Sequence, residues 1–316
     1  MTDIGLYMKK AARGLLLKVP YVKTELKRYE HLKRLISDSG FEPGHYYSTI
    51  PDLNEIRDSA DSIFSEKEVR GIELNMDRQL MLLEEFKGFY HEYPYHSEAS
   101  EPREYRYRKS GALYRYSDSV FLYCMLRKFK PRRIIEVGSG HSSAIMLDVN
   151  EIYGNGTHHT FIDPDTERLD RILRPGDRAS NNVIKGKVQD VDMGLFQTLE
   201  RDDVLFIDST HVSKVASDVN HIYFNILPSL KPGVLIHIHD IFSGFEYPRR
   251  WILNRRWFWN ENYLLRAFLM YNRDFEIVLF NSDLQRKMPD WFGREMPECL
   301  IRQDDSGCIW LRKTGD

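Results

Sequence analysis

Residues 134–143 read Ile134-Ile135-Glu136-Val137-Gly138-Ser139-Gly140-His141-Ser142-Ser143. A short apolar run ends, two glycines follow one residue apart, and an apolar-periodic stretch opens over 142–153. Such a run suits a buried strand. The glycines permit a tight turn and let the backbone approach a ligand, and the helix start behind them offers unpaired N–H groups. Working outward, apolar runs and helical patterns alternate. Strands are expected at 159–162, more weakly at 183–188, then at 204–207 and 234–238, with 276–280 and 308–311 closing the set. Helices are expected at 166–173 and 212–227. Strands alternating with helices imply right-handed crossovers and a doubly wound, mostly parallel α/β sheet.

The remaining sequence sets bounds. Its 316 residues suggest about two domains, and 42% hydrophobic with 29% charged residues exclude a disordered or collagen-like chain. Forty-five basic against 47 acidic residues leave a formal charge of −2, so no global field recruits nucleic acid. Three cysteines without CxxC spacing argue against a disulfide framework or structural zinc and fit a reducing, cytoplasmic setting. No apolar run approaches the length of a membrane span. The patch Gly14-Leu15-Leu16-Leu17 is cut by Lys18 too early for a signal-peptide core.

The first thirty-five residues hold nine Lys/Arg against three acids. Leu26, Tyr29, Leu32 and Ile36 recur at helical spacing, so 24–37 reads as a basic amphipathic helix. Packing on the body with a solvated face is favoured over docking to an anionic membrane or a partner, and dimerisation stays open. Residues 41–53, with two prolines and a glycine, read as a loop. Met76, Leu80, Leu83 and Phe86 mark a core-packed helix over 73–90, and Ser117 or Asp118 could cap a helix over 120–129.

In doubly wound sheets the ligand lies beyond the carboxyl ends of the strands. Gly138 and Gly140 follow the first strand, although Ser143 stands where a dinucleotide fingerprint wants a third glycine. Asp163, twenty-five residues beyond Gly138, is placed to accept from ribose hydroxyls, whereas Asp165 reads as a helix cap. Gln189 and Asp190 follow the third strand, where an adenine amino group could find an acceptor; Asp190 could equally be a cap. Asp208 and His211 follow the fourth strand, His239 and Asp240 the fifth. Two carboxylates and an imidazole can bind a hard divalent cation such as Mg²⁺, and His211 can take a hydroxyl proton. His237 lies inside its strand and reads as a satisfied core histidine; for His239, ligand and supporting roles are equally open.

Together these motifs resemble class I S-adenosylmethionine-dependent methyltransferases. The E-x-G-x-G run from Glu136 to Gly140, Asp163, the segment 202–233 and the closing strands carry the resemblance. More narrowly, residues 44–53 (GHYYSTIPDL) and 247–269 look like those of bacterial small-molecule or sugar O-methyltransferases of the macrocin O-methyltransferase-like group. The resemblance implies a seven-stranded, Rossmann-like domain at 117–316 and a helical N-terminal extension and acceptor-pocket lid at 1–116. It implies S-adenosylmethionine held by Glu136, Gly138, Ser139, Gly140, Ser142, Ser143, Asp163, Gln189 and Asp190. It also implies a divalent cation at Asp208, His239 and Asp240, with His211 as base; His239 departs from the oxygen ligand usual there. The acceptor would be a sugar, glycan or other small molecule. Phe242, Phe245, Tyr247, Trp251, Trp257, Phe258 and Trp259 could roof its pocket, and Arg249, Arg250, Arg255 and Arg256 could bind an anionic group or form a solvated face. Tyr46, Tyr47, Tyr114 and Tyr116 are weaker pocket candidates. A nicotinamide-dependent oxidoreductase, a non-heme iron oxygenase and a catalytically silent scaffold are the competing readings.

Overall fold

Seven strands form one sheet: β1 (Arg133–Val137), β2 (His158–Asp163), β3 (Asn182–Lys185), β4 (Val204–Ile207), β5 (Leu235–His239), β6 (Phe275–Phe280) and β7 (Cys308–Lys313). In this computed structural model, residues 20–38, 40–96, 105–302 and 306–315 are described. The strand order is β3-β2-β1-β4-β5-β7-β6. Pairings among β1 to β5 are parallel, whereas β7 runs antiparallel to both β5 and β6. The order reverses between β1 and β4, which opens a crevice above those two strands.

Register decides what faces that crevice. Val137 pairs with Ile162 and Ile207, and Ile207 pairs with Ile238. The next residue on each strand is therefore Gly138, Asp163, Asp208 or His239, so four expected site positions fall on one rung.

Strand alternation feeds a core on each face of the sheet. Ile134, Val204, Phe206 and Leu235 pack with Leu83 and Phe86 of the helix Met76–His91, Phe121 of Ser117–Phe129 and Ile145 of His141–Tyr153. Ile135, Leu205, Ile207, Ile236 and Ile238 pack on the other side with Ile222, Ile226 and Leu265, the last from the helix Glu261–Leu269. Strands buried on both faces read as unbroken apolar runs, which is why they were recognisable.

Two compact units are present, one ending at Ile63 and one beginning at Phe64. The first contains the helix Pro20–Asp38, which includes the expected 24–37, and the short helices Leu53–Asp58 and Ala60–Ile63. The apolar patch at 14–17 lies outside the described residues. The division at 63/64 departs from the expected 116/117, because the helix Met76–His91 and residues Tyr107 and Tyr114 belong to the core of the second unit.

The helix expected over 212–227 begins only at Asp218. Residues 208–217 form a loop instead. Ser217 caps the new helix by accepting from the Asn220 amide at 3.1 Å, and Asp218 reaches back to Thr210. A π-helical turn, Ile222–Ile226, follows. Among the described residues no helix is long and apolar enough to cross a membrane.

His159 on β2 is fully buried, its ring stacked on Phe161 at 5.7 Å and Nδ1 2.9 Å from Asn181 Oδ1. Burial pushes its pKa down to about 4, despite the Asn181 contact. The unfolded chain takes up this proton below about pH 6.5, so the stability from a neutral His159 is full above that pH and is lost progressively toward pH 4, a change of about 3 kcal/mol. Urea unfolding of the native chain and His159→Gln at pH 7.5 and 4.5 should show the native chain losing more stability over that interval; parallel losses would refute the assignment.

Candidate active site

The carboxyl ends of β1, β2, β4 and β5 open into a cleft of about 450 Å³. Gly138, Ser139, Gly140, Ser142, Asp163, Asp208, His211, His239 and Asp240 line it, as the strand ends predict. Gly138 has a φ of 85°, and a Cβ there would lie 1.7 Å from the Asp208 carbonyl oxygen. Only glycine lets the first turn pass so close to the fourth strand's loop. The Ser139 amide donates to Asp163 Oδ2 at 2.8 Å, and the Asp165 amide to Asp163 Oδ1 at 2.8 Å. Asp165 in turn accepts from the Glu167 amide at 3.1 Å, but the N-cap of the helix Glu167–Ile172 is Thr166, one residue on, and not Asp165 as expected.

Four residues expected to contact the cofactor lie outside this cleft. Glu136 is fully buried and does not line the cleft; its carboxylate accepts from the Ser142 and Ser143 hydroxyls, which fastens the strand to the helix behind the turn. Ser143 is likewise withdrawn, its hydroxyl accepting from the Gly140 amide at 2.9 Å. Burial pushes the Glu136 pKa up to about 8 even against those serine bonds. Gln189 and Asp190 line a separate, more open depression with Ala216, Asn220 and Phe224. The chain turns at Val188–Asp190, Val188 is buried, and the Gln189 amide donates to the Ala216 carbonyl at 3.0 Å.

The chemistry concentrates around His211. Its Nε2 lies 3.3 Å from Asp208 Oδ1 and 3.4 Å from Asp240 Oδ2, while Nδ1 lies 2.8 Å from Glu261 Oε2. Asp208, His211 and Asp240 each offer a ligand atom within 4.8 Å of the others. This cluster contains Asp208 and Asp240 of the expected ligand set, with His211 in the place expected for His239. His239 Nε2 lies 3.5 Å from Asp240 Oδ1, and its ring leans on Tyr114 at 4.9 Å. Strand alternation puts His237 and His239 on the same face of β5, which ends there; Asp240 follows in left-handed backbone and comes back beside the His239 ring. His237 is a core residue, as expected, but neither ring nitrogen has a hydrogen-bond partner; the ring stacks on Phe206 at 4.0 Å.

Burial alone would depress the His211 pKa, yet the bonds to Asp208 and Glu261 and the charge of Asp240 hold it well above its ordinary value. Desolvation would raise Asp208, but the charge of His239 and the bond to His211 draw it down to about 2. Asp240 moves up, because burial outweighs the attraction of His239 and His211. His211 and Asp240 both adopt left-handed backbone, with φ of 59° and 56°. Such conformations cost about 1 kcal/mol each in non-glycine residues and persist only where the surroundings impose them.

Those surroundings come from three consecutive residues absent from the sequence-based site. Asn260 Oδ1 accepts from the Ser213 amide at 2.6 Å, and the Asn260 and Glu261 amides both donate to the His211 carbonyl at 3.2 Å. Asn262 accepts from the Phe242 amide at 3.0 Å and donates to the Asp240 carbonyl at 3.1 Å. Asn260-Glu261-Asn262 therefore ties the β4 and β5 loops to the start of one helix. The available signal was three polar side chains opening the apolar-periodic stretch of that helix.

Aromatic residues close one wall. Trp251, Trp257 and Trp259 line the cleft with Arg255, Tyr114 and Tyr116. Trp259 lies 4.7 Å from the His211 ring. Phe242, Phe245 and Tyr247 are instead buried in the body. Tyr46 and Tyr47 belong to the first unit, where both are exposed; Tyr46 stacks on His45 and Tyr47 meets the Phe41 ring edge-on.

Residues 135–241 match the family described as "Methyltransferase domain". They span the glycine turn, Asp163, Asp208, His211 and Asp240. This chain belongs to the class I methyltransferases. An uncharacterized protein of Archaeoglobus fulgidus is 34% identical over 166 residues, covering 51% of this methyltransferase and 74% of that relative. Two solved structures are remote in sequence and shape. The O-methyltransferase TomG from Streptomyces achromogenes, in complex with SAM, is 12% identical with a TM-score of 0.42, covering 83% of this chain and 96% of TomG. The apo structure of CmcI-N160 is 18% identical with a TM-score of 0.40, covering 64% and 73%.

Within this methyltransferase, Glu261→Gln preserves shape and removes one charge from His211. The His211 pKa, followed by NMR of labelled histidine, should fall toward its ordinary value while circular dichroism stays unchanged. Because the folded value is raised, the stability conferred by the carboxylates around His211 is full below the unfolded pKa and is lost as pH rises through the folded one. An unshifted titration would show that Glu261 does not set the protonation of His211.

Proposed function

We propose that this methyltransferase transfers a methyl group from S-adenosylmethionine to a hydroxyl of a sugar, glycan or other ring-bearing small molecule, with a divalent cation at Asp208, His211 and Asp240. The convergence of those three ligand atoms beside the glycine turn carries the reading. It is the arrangement that hydroxyl chemistry needs, a place for the oxygen next to groups that can strip its proton.

The residues suit the cofactor. Ser139 and Ser209 line the cleft with buried hydroxyls that have no hydrogen-bond partner among the described residues. Ser139 Oγ and the open edge of Asp163 suit a polar ligand seated on the glycine turn, with Asp163 accepting from ribose hydroxyls. When bound, S-adenosylmethionine supplies an electrophilic methyl on sulfonium, which departs as the neutral thioether while the acceptor oxygen forms its bond to carbon. The chain's own task is alignment and removal of the hydroxyl proton.

The residues also suit a cation. Two carboxylates and an imidazole nitrogen form a hard, partly enclosed donor set, with Glu261 fixing the ring through Nδ1 as a supporting carboxylate does for a metal-bound histidine. A bound divalent cation would offset the carboxylate charge and lower the pKa of a hydroxyl brought against it. His211 has one lone pair to offer at Nε2, so the roles of ligand and base compete for the same nitrogen. Without a compensating cation, the raised pKa keeps that nitrogen protonated near neutral pH.

Calorimetric titration with S-adenosylhomocysteine, with and without Mg²⁺, tests the reading. Binding should be tight, lost in Asp163→Ala, and retained in Asp208→Asn without any response to Mg²⁺. A His211→Gln variant separates the two roles of the histidine. Weakened Mg²⁺ binding, by about tenfold or more, marks a ligand. Intact Mg²⁺ binding with transfer reduced about 10²- to 10⁴-fold marks the base. Failure of the folded native chain to bind S-adenosylhomocysteine would overturn the proposal and bring NAD binding forward.

A further inference from the structure

The cleft holds three arginines at different stations. Arg168 lies over the glycine turn, where a Cβ on Gly140 would come within 2.6 Å of its Cδ. Arg115 lies over the Tyr116 ring at 5.0 Å. Arg255 stands at the indole wall, its guanidinium 4.6 Å from the Trp257 ring centre and 5.4 Å from that of Trp251. Trp257 and Trp259 are stacked at 4.8 Å with a 17° interplanar angle, Trp251 stands almost perpendicular to both, and Trp259 reaches His211. A flat ring laid along this wall would bring its hydroxyl toward the Asp208, His211 and Asp240 atoms, with its far substituent toward Arg255.

The charges sort by station. The cofactor carries a single carboxylate, and the glycine turn with Arg168 lies at its end of the cleft. Arg255 is joined to the His211 cluster along the wall, through Trp257 and Trp259, which on the proposed reading is the acceptor's side. Stacking on indoles engages the faces of a guanidinium, whereas its N–H donors lie in the plane, the geometry that grips a carboxylate or phosphate through parallel bonds.

Building on the methyltransferase reading, we propose that the acceptor is an anionic ring compound, a hydroxylated sugar or aryl ring bearing a carboxylate or phosphate that pairs with Arg255 while the ring packs on Trp257 and Trp259. Arg255 is then a specificity-determining residue. A rival role is that of a counter-charge to Asp240, whose carboxyl group feels Arg255.

Matched probes separate these roles. Protein saturated with S-adenosylhomocysteine and Mg²⁺ is titrated with 3,4-dihydroxybenzoate against its neutral amide, and with glucose 6-phosphate against glucose. At least one anionic probe should bind about tenfold more tightly than its neutral partner, and the pair that discriminates identifies carboxylate or phosphate. Arg255→Gln should erase the preference, Arg255→Lys should restore part of it, and affinity for S-adenosylhomocysteine should stay unchanged in both. Equal binding within both pairs, no binding of either anion, or a preference surviving in Arg255→Gln would overturn the inference. So would a variant that changes Mg²⁺ affinity but leaves discrimination intact, since that is the signature of a counter-charge. Loss of S-adenosylhomocysteine binding by the native chain is a separate failure, that of the methyltransferase reading itself.

Discussion

The contact between the Glu261 carboxylate and His211 Nδ1 is the constraint on which the site depends. Glu261 is completely buried, and an ionised carboxylate is retained there only if its charge is answered. His211 answers it, and in doing so fixes which nitrogen faces Asp208 and Asp240. The backbone repeats the tie, since the Glu261 amide donates to the His211 carbonyl. Side chain and main chain together define the ring's position, which is how a histidine can be held in left-handed backbone in the loop after β4.

The same contact imposes an electrostatic imbalance. Asp208, Asp240 and Glu261 surround one imidazole. Protonating His211 offsets one of the three charges, and His239, whose own pKa is raised chiefly by Asp240 and Asp208 against the pull of burial, offsets more. A divalent cation is the other means of compensation. Proton and cation then compete for one set of atoms, so the protonation of His211 and the loading of the site are thermodynamically one question.

Much of this was legible in the sequence, and the reason is register. In a parallel sheet the residues after equivalent strand positions share a rung, so recognising Ile134–Val137 and its counterparts was enough to bring Gly138, Asp163, Asp208 and His239 together. What stayed hidden depended on side-chain direction and on long-range pairing. Glu136 sits two residues before the rung, with its side chain turned into the body onto Ser142 and Ser143. His239 and Asp240 are adjacent in sequence and both line the cleft, but it is Asp240 that reaches His211 Nε2, at 3.4 Å, from a left-handed backbone that no strand pattern marks. Glu261 lies fifty residues from His211, and no local pattern marks that partnership. The stretch 212–217 read as helical because its residues have adequate helix propensity, but bonds to Ser217 and Asn260 outweigh propensity there.

The indole wall explains why these charges can act on a ligand at all. Trp259 covers one side of the His211 ring, and Trp251 and Trp257 extend that cover along the cleft. Indoles exclude water without neutralising charge, so the field of Asp208, Asp240 and Glu261 is screened less than it would be at an open surface. The low pKa of Asp208 beside the raised one of Asp240 follows from the same confinement: Asp208 is stabilised by the histidines it faces, whereas for Asp240 burial outweighs what those histidines return. A hydroxyl entering along the wall thus meets an ionised carboxylate, a second one that holds its proton more readily, and an oriented imidazole. On the proposed reading, that asymmetry would leave Asp208 as the carboxylate already ionised for a cation, with Asp240 and His211 as the groups whose charge would change as ligands arrive.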